Sequence, residues 1–409
     1  MVLLRAMFLL GLSWSLLSCQ MSGQSADRTS GSTADAGRAV PAASTASNAL
    51  TAPTVPSGLA GQARFSVSEG ANVGLKQKSA SMNLTRVAFG SCAHQERPQP
   101  IWDAVLAYQP QLFVFAGDNV YGDQRGGRYV PNDELIDSLT QAYQNATAIP
   151  GMVRLRNTVP HLATWDDHDY GKNDAGVELA HKKISQQLFL DFWAIPGNDP
   201  RHSREGIYSS QLFGEAGRRV QVILLDTRYF RSGLSQASPR LPGIGPYQPD
   251  PDTSKTILGD AQWAWLREQL QQPADLRLLV TSIQALAQGH GWEGWVNFPG
   301  ERQRLFDLIR DTRAAGVVFL SGDRHIGALY REVSGTPYPL VEITSSGLTQ
   351  SFATNREPGP NRLGDVYGKP NFGAIDIDWA KRSVELSVRS VSGEPVRQHK
   401  FQIDELKAQ

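Results

Sequence analysis

The sequence predicts an α/β protein: two packed mixed β-sheets flanked by helices, an αββα sandwich. Three observations predict it. Short apolar runs at residues 86–89, 112–115, 220–225, 276–283 and 317–320 alternate with segments of helical spacing, as buried parallel strands joined by crossover helices do. The chain's last quarter changes to strands with short turns and no helical segments. With 409 residues, the chain is long enough to bury a core of that size.

Taken in order, Arg86-Val87-Ala88-Phe89 reads as a buried strand closing at Gly90-Ser91-Cys92. A helix with Ile101, Val105 and Leu106 on one face leads to a strand at 112–115 that runs out at Gly117-Asp118. The strand at 161–165 ends on Asp166. Helical patterns at 176–193 and 260–270 flank the strand at 220–225. A strand at 276–283, a helix at 301–315 and a strand at 317–320 follow, the last ending on Gly322-Asp323. The tail strands at 329–333, 340–344, 374–379, 384–391 and 397–403 read as antiparallel edges of a second sheet.

The first residues read as a targeting segment. Arg5 precedes an apolar run at 6–17 broken only by Ser13 and Ser15, shorter than the about 20 residues needed to span a bilayer. Leu16-Leu17-Ser18-Cys19 resembles the bacterial lipoprotein cleavage box, which makes Cys19 the lipidated N-terminus of an exported protein. The domain would then be membrane-anchored, facing the periplasm or cell surface. Residues 20–81 are rich in Ser, Ala, Thr, Gly and Pro and read as a flexible tether, with a reach on the order of 40 Å. The expected organisation is therefore leader 1–19, tether 20–81 and catalytic-type domain 82–409. The only cysteines are Cys19 and Cys92, so a lipidated Cys19 leaves one thiol and no disulfide. In an oxidising compartment that thiol has to be buried or held by a metal. Lys and Arg number 40 against 40 Asp and Glu, a balance that argues against a basic nucleic-acid-binding face. A monomer is expected.

Four strand ends carry ligand-type residues: Cys92; Asp118 with Tyr121; Asp166-Asp167-His168-Asp169; and Asp323-Arg324-His325. Each has a plain alternative as core filler, turn or solvated loop. Together they fall where the strands of an open α/β sheet place ligands. A carboxylate and a phenol can share a hard, highly charged cation, and four titratable groups in a row repel one another unless a cation neutralises them.

The ordered blocks FGSC (89–92), GDNVYGD (117–123), TWDDHDYGKND (164–174), SGDRHIG (321–327), EITSSGLTQS (342–351) and NFGAIDID (371–378) resemble the alkaline phosphatase D (PhoD-like) metallophosphoesterases. These are distant relatives of the purple acid phosphatases, and the resemblance spans about residues 84–403. It implies ferric iron, Fe(3+), with divalent partners: Ca(2+) first, Mn(2+) or Zn(2+) as alternatives. Cys92 and Tyr121 would bind iron, Asp118 would bridge the metals, and Asp323 and His325 would close the site. Asp167 stands where related enzymes place a metal-binding Asn. His168 occupies the place of the catalytic histidine, and Asn173 and Arg324 that of phosphate contacts. Three features depart from the family pattern: the space of its extra β domain is only tether, the leader has no twin arginine, and Gln284 stands where related folds carry a His.

His290, with Trp292 and Trp295, could wall a substrate cleft, and His94 could line the site's mouth; His181 and His202 read as ordinary surface or loop residues. The expected function is hydrolysis of phosphate monoesters or diesters by a metal-bound hydroxide, with His168 protonating the leaving group. A phospholipase-like or cell-wall phosphodiesterase is the alternative on the same site. A non-catalytic metal-binding lipoprotein is the alternative of another class, and would be expected to lose His168 while keeping the ligands. Metabolic labelling with a palmitate analogue should mark the wild-type protein and not Cys19→Ala; label on both, or on neither, contradicts the lipoprotein reading.

Overall fold

The chain's most apolar segments become its central strands. β1 (Arg86–Gly90) and β2 (Leu112–Ala116) are buried almost throughout and pair in parallel. Continuous apolar runs of this kind belong to strands covered on both faces. The computed structural model describes Phe65 and residues 70–353 and 357–407, all within one unit spanning residues 61–409. The leader, Cys19 and most of the tether lie outside the described residues.

Between β2 and the next strand of the sheet come the ribbon β3 (Gln124–Arg125) and β4 (Arg128–Tyr129), followed by two helices. Eight α-helices occur among the described residues: α1 (Leu75–Lys78), α2 (Ile101–Tyr108), α3 (Leu135–Ala146), α4 (Pro150–Thr158), α5 (Asp167–Tyr170), α6 (Lys182–Phe192), α7 (Gly259–Leu270) and α8 (Pro299–Asp311). The remaining strands are β5 (His161–Thr164), β6 (Ser209–Phe213), β7 (Val220–Leu224), β8 (Leu276–Val280), β9 (Val317–Ser321), β10 (Gly327–Glu332), β11 (Leu340–Ser345), β12 (Asn371–Asp378), β13 (Ser383–Ser390) and β14 (Pro395–Gln402).

They form two six-stranded mixed sheets, ordered β14-β13-β12-β1-β2-β5 and β10-β11-β9-β8-β7-β6. In the first, β1, β2 and β5 are parallel; in the second, β11, β9, β8 and β7 are parallel. Period-two alternation splits each central strand between two cores. Val87, Phe89, Leu112 and Val114 pack with Val222, Leu278, Val318 and Ile343 in one core. Ala88, Phe113 and Phe115 pack with Trp102, Leu139, Tyr143 and Phe189 from the helices over the first sheet in the other. Trp263 and Leu266 of α7 and Leu305 and Ile309 of α8 join the first of these cores. The expected two-sheet, helix-flanked architecture is therefore present.

Four details differ from the sequence expectation. The tail does not all enter the second sheet: β10 and β11 do, β11 parallel to β9, whereas β12 to β14 extend the first sheet antiparallel to β1. Alternation encodes a strand's faces, not which sheet it joins. Second, α3 buries Leu135, Leu139, Ala142, Tyr143 and Ala146, a helical stripe absent from the elements expected from sequence. Third, the helix expected over 176–193 is confined to α6, because residues 171–181 form turns that reach the site.

Last, the tether expected over 20–81 is corrected at its end. Gly70–Asn72, Leu75–Lys78 and Ser79–Ser81 form successive helical turns. Asn72 bonds both backbone atoms of His161, donating to its O and accepting from its N at 2.8 Å each. Leu75 is buried in the core, and Phe65 packs edge-on to Tyr143 and Phe192.

Neighbouring loops crowd closely at Gly117, where φ is +102° and a Cβ would lie 2.6 Å from that of Asp166 after β5 and 3.1 Å from that of Ser282 in the other sheet. Gly117→Ala should cost about 2 kcal/mol or more of unfolding free energy through strain and overpacking. Gly126, at φ +56° with nothing within 4 Å, should cost only about 1 kcal/mol on the same change. Urea denaturation checks both; equal losses would contradict the close approach.

Candidate metal centre

All the ligand-type residues flagged from sequence lie just past the carboxyl ends of parallel strands. Cys92 follows β1, Asp118 and Tyr121 follow β2, Asp167 and His168 open α5 after β5, and Asp323 and His325 follow β9. Hydrogen bonds hold these loops together, across the sheets from Ser91 N to Ser345 O at 3.1 Å and from Thr164 Oγ1 to Leu225 O at 2.8 Å, and within the second sheet from Gly322 N to Ser282 O at 2.8 Å. Cys92, Asp118, Asp323 and His325 have φ of 64°, 49°, 65° and 56°. Non-glycine residues seldom adopt that left-handed region, and when they do the strain tends to mark functional sites. Here it turns four adjoining side chains inward.

Three overlapping groups result, each with ligand atoms within 4.8 Å of one another: Cys92, Asp118 and His325; Asp118, Asp167 and His168; and Asp166, Asp167 and Asp323. Asp118 is common to the first two and Asp167 to the last two, so the groups form one continuous chain of donors. At the first end Cys92 Sγ donates to Asp118 Oδ2 at 3.3 Å and contacts Ser346 Oγ at 3.1 Å. Tyr121 OH lies 3.4 Å from the same carboxylate oxygen and 3.0 Å from His325 Nε2. Gln95 clamps the backbone of Tyr121, accepting from its N at 2.8 Å and donating to its O at 3.1 Å. His325, although only two residues after Asp323 in sequence, therefore serves the opposite end of the chain of donors.

His168 Nδ1 pairs with Asp123 Oδ1 at 2.7 Å, both side chains buried, and Asp123 Oδ2 accepts from Asn173 N at 2.8 Å. The His168 backbone N–H lies 3.3 Å from Asp118 Oδ1. Asp169 stays out of the donor chain and builds the loop instead. Its oxygens accept from Asp118 N at 3.2 Å, Asp166 N at 2.6 Å and Asn119 N at 3.2 Å, a capping box at the start of α5.

Burial raises the pKa of Cys92, Asp118, Tyr121 and Asp323 well above their ordinary values, and neighbouring anions add to it in each case. Burial also lifts Asp166 to about 7, against the pull of Arg228. For Asp167 burial is outweighed by His168 and Arg228, which hold it below the usual carboxylate range. For His168 burial is outweighed by Asp167, Asp118 and Asp123, which hold the imidazolium well above its normal range. His325 is pushed down to about 3, first by burial and then by His168 and Arg324, leaving it neutral as a ligand must be. So many buried anions cannot all be charged together without added cations.

Two flagged residues are engaged elsewhere. Asn173 is exposed, and its Oδ1 accepts from Tyr129 OH at 2.8 Å. The Arg324 guanidinium is 2.5 Å from Glu357 and 5.0 Å from the Trp292 ring centroid. Gln284 donates to Tyr330 OH at 3.2 Å and Thr344 Oγ1 at 2.9 Å and belongs to none of the three groups. His290 is buried, its Nδ1 accepting from Trp292 N at 3.0 Å. His94 is likewise buried, stacked on Tyr121 at 4.6 Å, and Tyr121 also stacks with His168 at 4.2 Å. The sequence singles out Asp166 only within its acidic run and gives Asp123 and Gln95 no role; Asp123 stands inside a matching block, but Gln95 carries no signal.

The PhoD-like phosphatase family profile matches residues 87–367, more than half of the chain. The chain belongs to this family. Alkaline phosphatase D of Bacillus subtilis (strain 168) is 23% identical over 289 residues, covering 61% of this chain and 47% of that protein, so the chain spans about half the length of this curated relative. The solved structure of PhoD superposes with a TM-score of 0.64 at 14% identity, covering 80% of this chain and 72% of that one. A purple acid phosphatase from yellow lupin (Lupinus luteus) superposes with a TM-score of 0.53 at 11% identity, covering 78% and 54%. These two likenesses establish the fold.

The donor set of this PhoD-like chain fits metal ions. Thiol, phenol and imidazole at one end suit a transition metal, and carboxylates at the other suit a hard, oxygen-binding cation. Asp166 Oδ2 is buried without a hydrogen-bond partner among the described residues. Because burial favours the protonated forms of several of these groups, metal uptake should expel protons. Affinity should therefore rise by about tenfold per pH unit for each proton displaced. Metal titrations at several pH values, with proton release recorded in weakly buffered solution, check this; pH-independent binding would contradict it.

Proposed function

We propose that the chain hydrolyses phosphate esters, monoesters or diesters, at a multinuclear metal centre. The observation that carries this reading is the pairing of His168 with Asp123 at 2.7 Å beside a continuous chain of metal-type donors. Cys92, Asp118, Tyr121 and His325 would hold one cation, Fe(3+). Asp118, Asp166, Asp167 and Asp323 would hold divalent partners, Ca(2+) foremost and Mn(2+) or Zn(2+) as alternatives. Such cations supply a nucleophile at neutral pH by lowering the pKa of water, and they neutralise charge on phosphate oxygens.

The protein's own part is to position and to move a proton. With Nδ1–H directed at Asp123, His168 carries its transferable proton on Nε2. The surrounding carboxylates favour imidazolium, the form that can protonate a departing alkoxide. Asp123 is itself fixed by Asn173 N, so the imidazole is oriented before substrate arrives. Asn173 contributes its backbone to this arrangement, and Arg324 remains a candidate phosphate contact only if Glu357 and Trp292 release it.

The same site could serve a phospholipase-like or cell-wall phosphodiesterase, which a Cys19 lipid anchor facing the periplasm or cell surface would suit. Among the described residues no helix is long and apolar enough to cross a membrane. A panel of monoester, diester and phospholipid substrates separates these activities. A non-catalytic metal-binding lipoprotein is disfavoured, since mere binding has no use for the His168–Asp123 pair.

General acids typically contribute on the order of 10²–10⁴-fold. His168→Ala should lower hydrolysis of alkyl phosphates within that range and of p-nitrophenyl esters far less, with metal content retained. Equal losses on both would make His168 a phosphate-positioning group, and loss of metal would make it a ligand. If Tyr121 binds Fe(3+), the purified protein should be coloured, and Tyr121→Phe should remove or shift the absorption band; a colourless, fully active protein would contradict the iron assignment.

A further inference from the structure

The turn Asp226-Thr227-Arg228-Tyr229-Phe230-Arg231 leaves the carboxyl end of β7 and has so far been given no role. Asp226 ties it down. Its Oδ1 accepts from Trp165 Nε1 at 2.9 Å and from Arg228 N and Tyr229 N at 3.0 Å each, and its Oδ2 accepts from Ile207 N at 2.9 Å. Thr227 Oγ1 meets Ser282 Oγ at 2.5 Å. The result drives the Arg228 side chain into the interior, fully buried.

There Arg228 Nε donates to Asp166 Oδ1 at 2.6 Å, and its Nη1 lies 2.7 Å from Glu293 Oε2. Ser282 Oγ donates to the same Asp166 oxygen at 2.7 Å. Glu293 Oε1 is 2.8 Å from Arg231 Nε. Arg231 donates to Asp174 O at 2.5 Å, and Asp174 N donates to Asp167 Oδ2 at 2.7 Å. The guanidinium thus touches the carboxylate group Asp166, Asp167 and Asp323 directly through Asp166, and indirectly, by way of Glu293, Arg231 and Asp174, through Asp167.

Stability alone is a weak reason for such a network, since apolar residues of similar volume often replace buried ion pairs without loss. Its placement is more informative. Arg228 and Ser282 together fill one oxygen of Asp166, and the other oxygen is buried without a partner among the described residues. A guanidinium cannot lose its charge in this setting, so it competes permanently with any metal for the same carboxylates.

We propose that Arg228 is a positioning residue of the metal centre. It acts as a fixed protein cation that claims one oxygen of Asp166, presents the other to a metal, and keeps the divalent ion at this end weakly held and exchangeable. This rests on the metal-centre reading above. Removing the charge should tighten the divalent ion, because one repulsive unit charge a few ångströms away disappears. Misorientation of Asp166 should slow turnover at the same time.

The test uses the full-length protein, dialysed against Ca(2+) buffered at a series of free concentrations, with bound calcium and iron measured by mass spectrometry. Arg228→Gln should retain calcium at roughly tenfold lower free Ca(2+) or below, with a reduced kcat. Arg228→Lys keeps the charge but not the fork that orients Asp166, so it should match wild type in calcium retention while still losing kcat. Should Arg228→Gln fail to fold, Arg228→Met removes the charge while keeping most of the buried volume and should also hold calcium more tightly than wild type. Looser calcium in the charge-removing variants, or Arg228→Lys behaving like Arg228→Gln, would overturn the proposal and leave Arg228 a structural residue. A wild-type protein that takes up no stoichiometric metal would instead overturn the metal-centre reading itself.

Discussion

The constraint on which the rest of this structure depends is the confinement of many acidic groups in one buried place. Asp118, Asp166, Asp167 and Asp323, with the Cys92 thiol and the Tyr121 phenol, converge where the parallel strands of two mixed sheets end. Burial and mutual repulsion push most of them toward their neutral forms. The protein sets the guanidiniums of Arg228 and Arg324 and the imidazolium of His168 against them. That imbalance is costly for a folded chain on its own and becomes favourable when cations enter. The site is thus a device for concentrating negative charge, and the sandwich is the scaffold that permits it.

The scaffold works through the geometry of parallel strands. Each strand delivers its following loop to the same edge, and left-handed backbone at Cys92, Asp118, Asp323 and His325 turns the side chains inward rather than out to solvent. Gly117 and Gly322 let the two sheets approach: a Cβ on Gly322 would lie 2.4 Å from Ser91 Oγ. Strain at four ligands and bare backbone at two glycines are local penalties, offset by the two hydrophobic cores beneath and by the cations the site gathers. The catalytic apparatus proposed for His168 follows from the same convergence, since Asp123 comes from the loop after β2 and His168 from the helix after β5.

Much of this was legible in the sequence because buried parallel strands appear as apolar runs and their exits appear as Gly-Asp or Asp-rich turns. Cys92, Asp118, Tyr121, Asp167, His168, Asp323 and His325 all stand just past such strand ends, and the structure brings them together. Partners that act through space were not legible: Arg228 and Glu293 are 65 residues apart, and Gln95 reaches Tyr121 from an unremarkable loop. The strands β12 to β14 were visible, but their sheet was not, since pairing is decided by the edge of β1 rather than by the tail's own pattern. Leu75 was hidden in a Ser- and Ala-rich stretch whose composition suggested only a tether. Arg324 and Asn173 were found by motif, yet their side chains bond Glu357 and Tyr129, contacts that no spacing encodes.

Anomalous X-ray diffraction from crystals of the purified protein, recorded on both sides of the iron edge and at a wavelength sensitive to calcium, tests the central claim most directly. One strong peak is expected among Cys92, Asp118, Tyr121 and His325, vanishing below the iron edge, with at least one lighter ion beside Asp166, Asp167 and Asp323. Asp118 should lie between them as the shared ligand. Density showing no ordered ion, with Cys92 still hydrogen-bonded to Asp118 and Asp166 Oδ2 left bare, would contradict it.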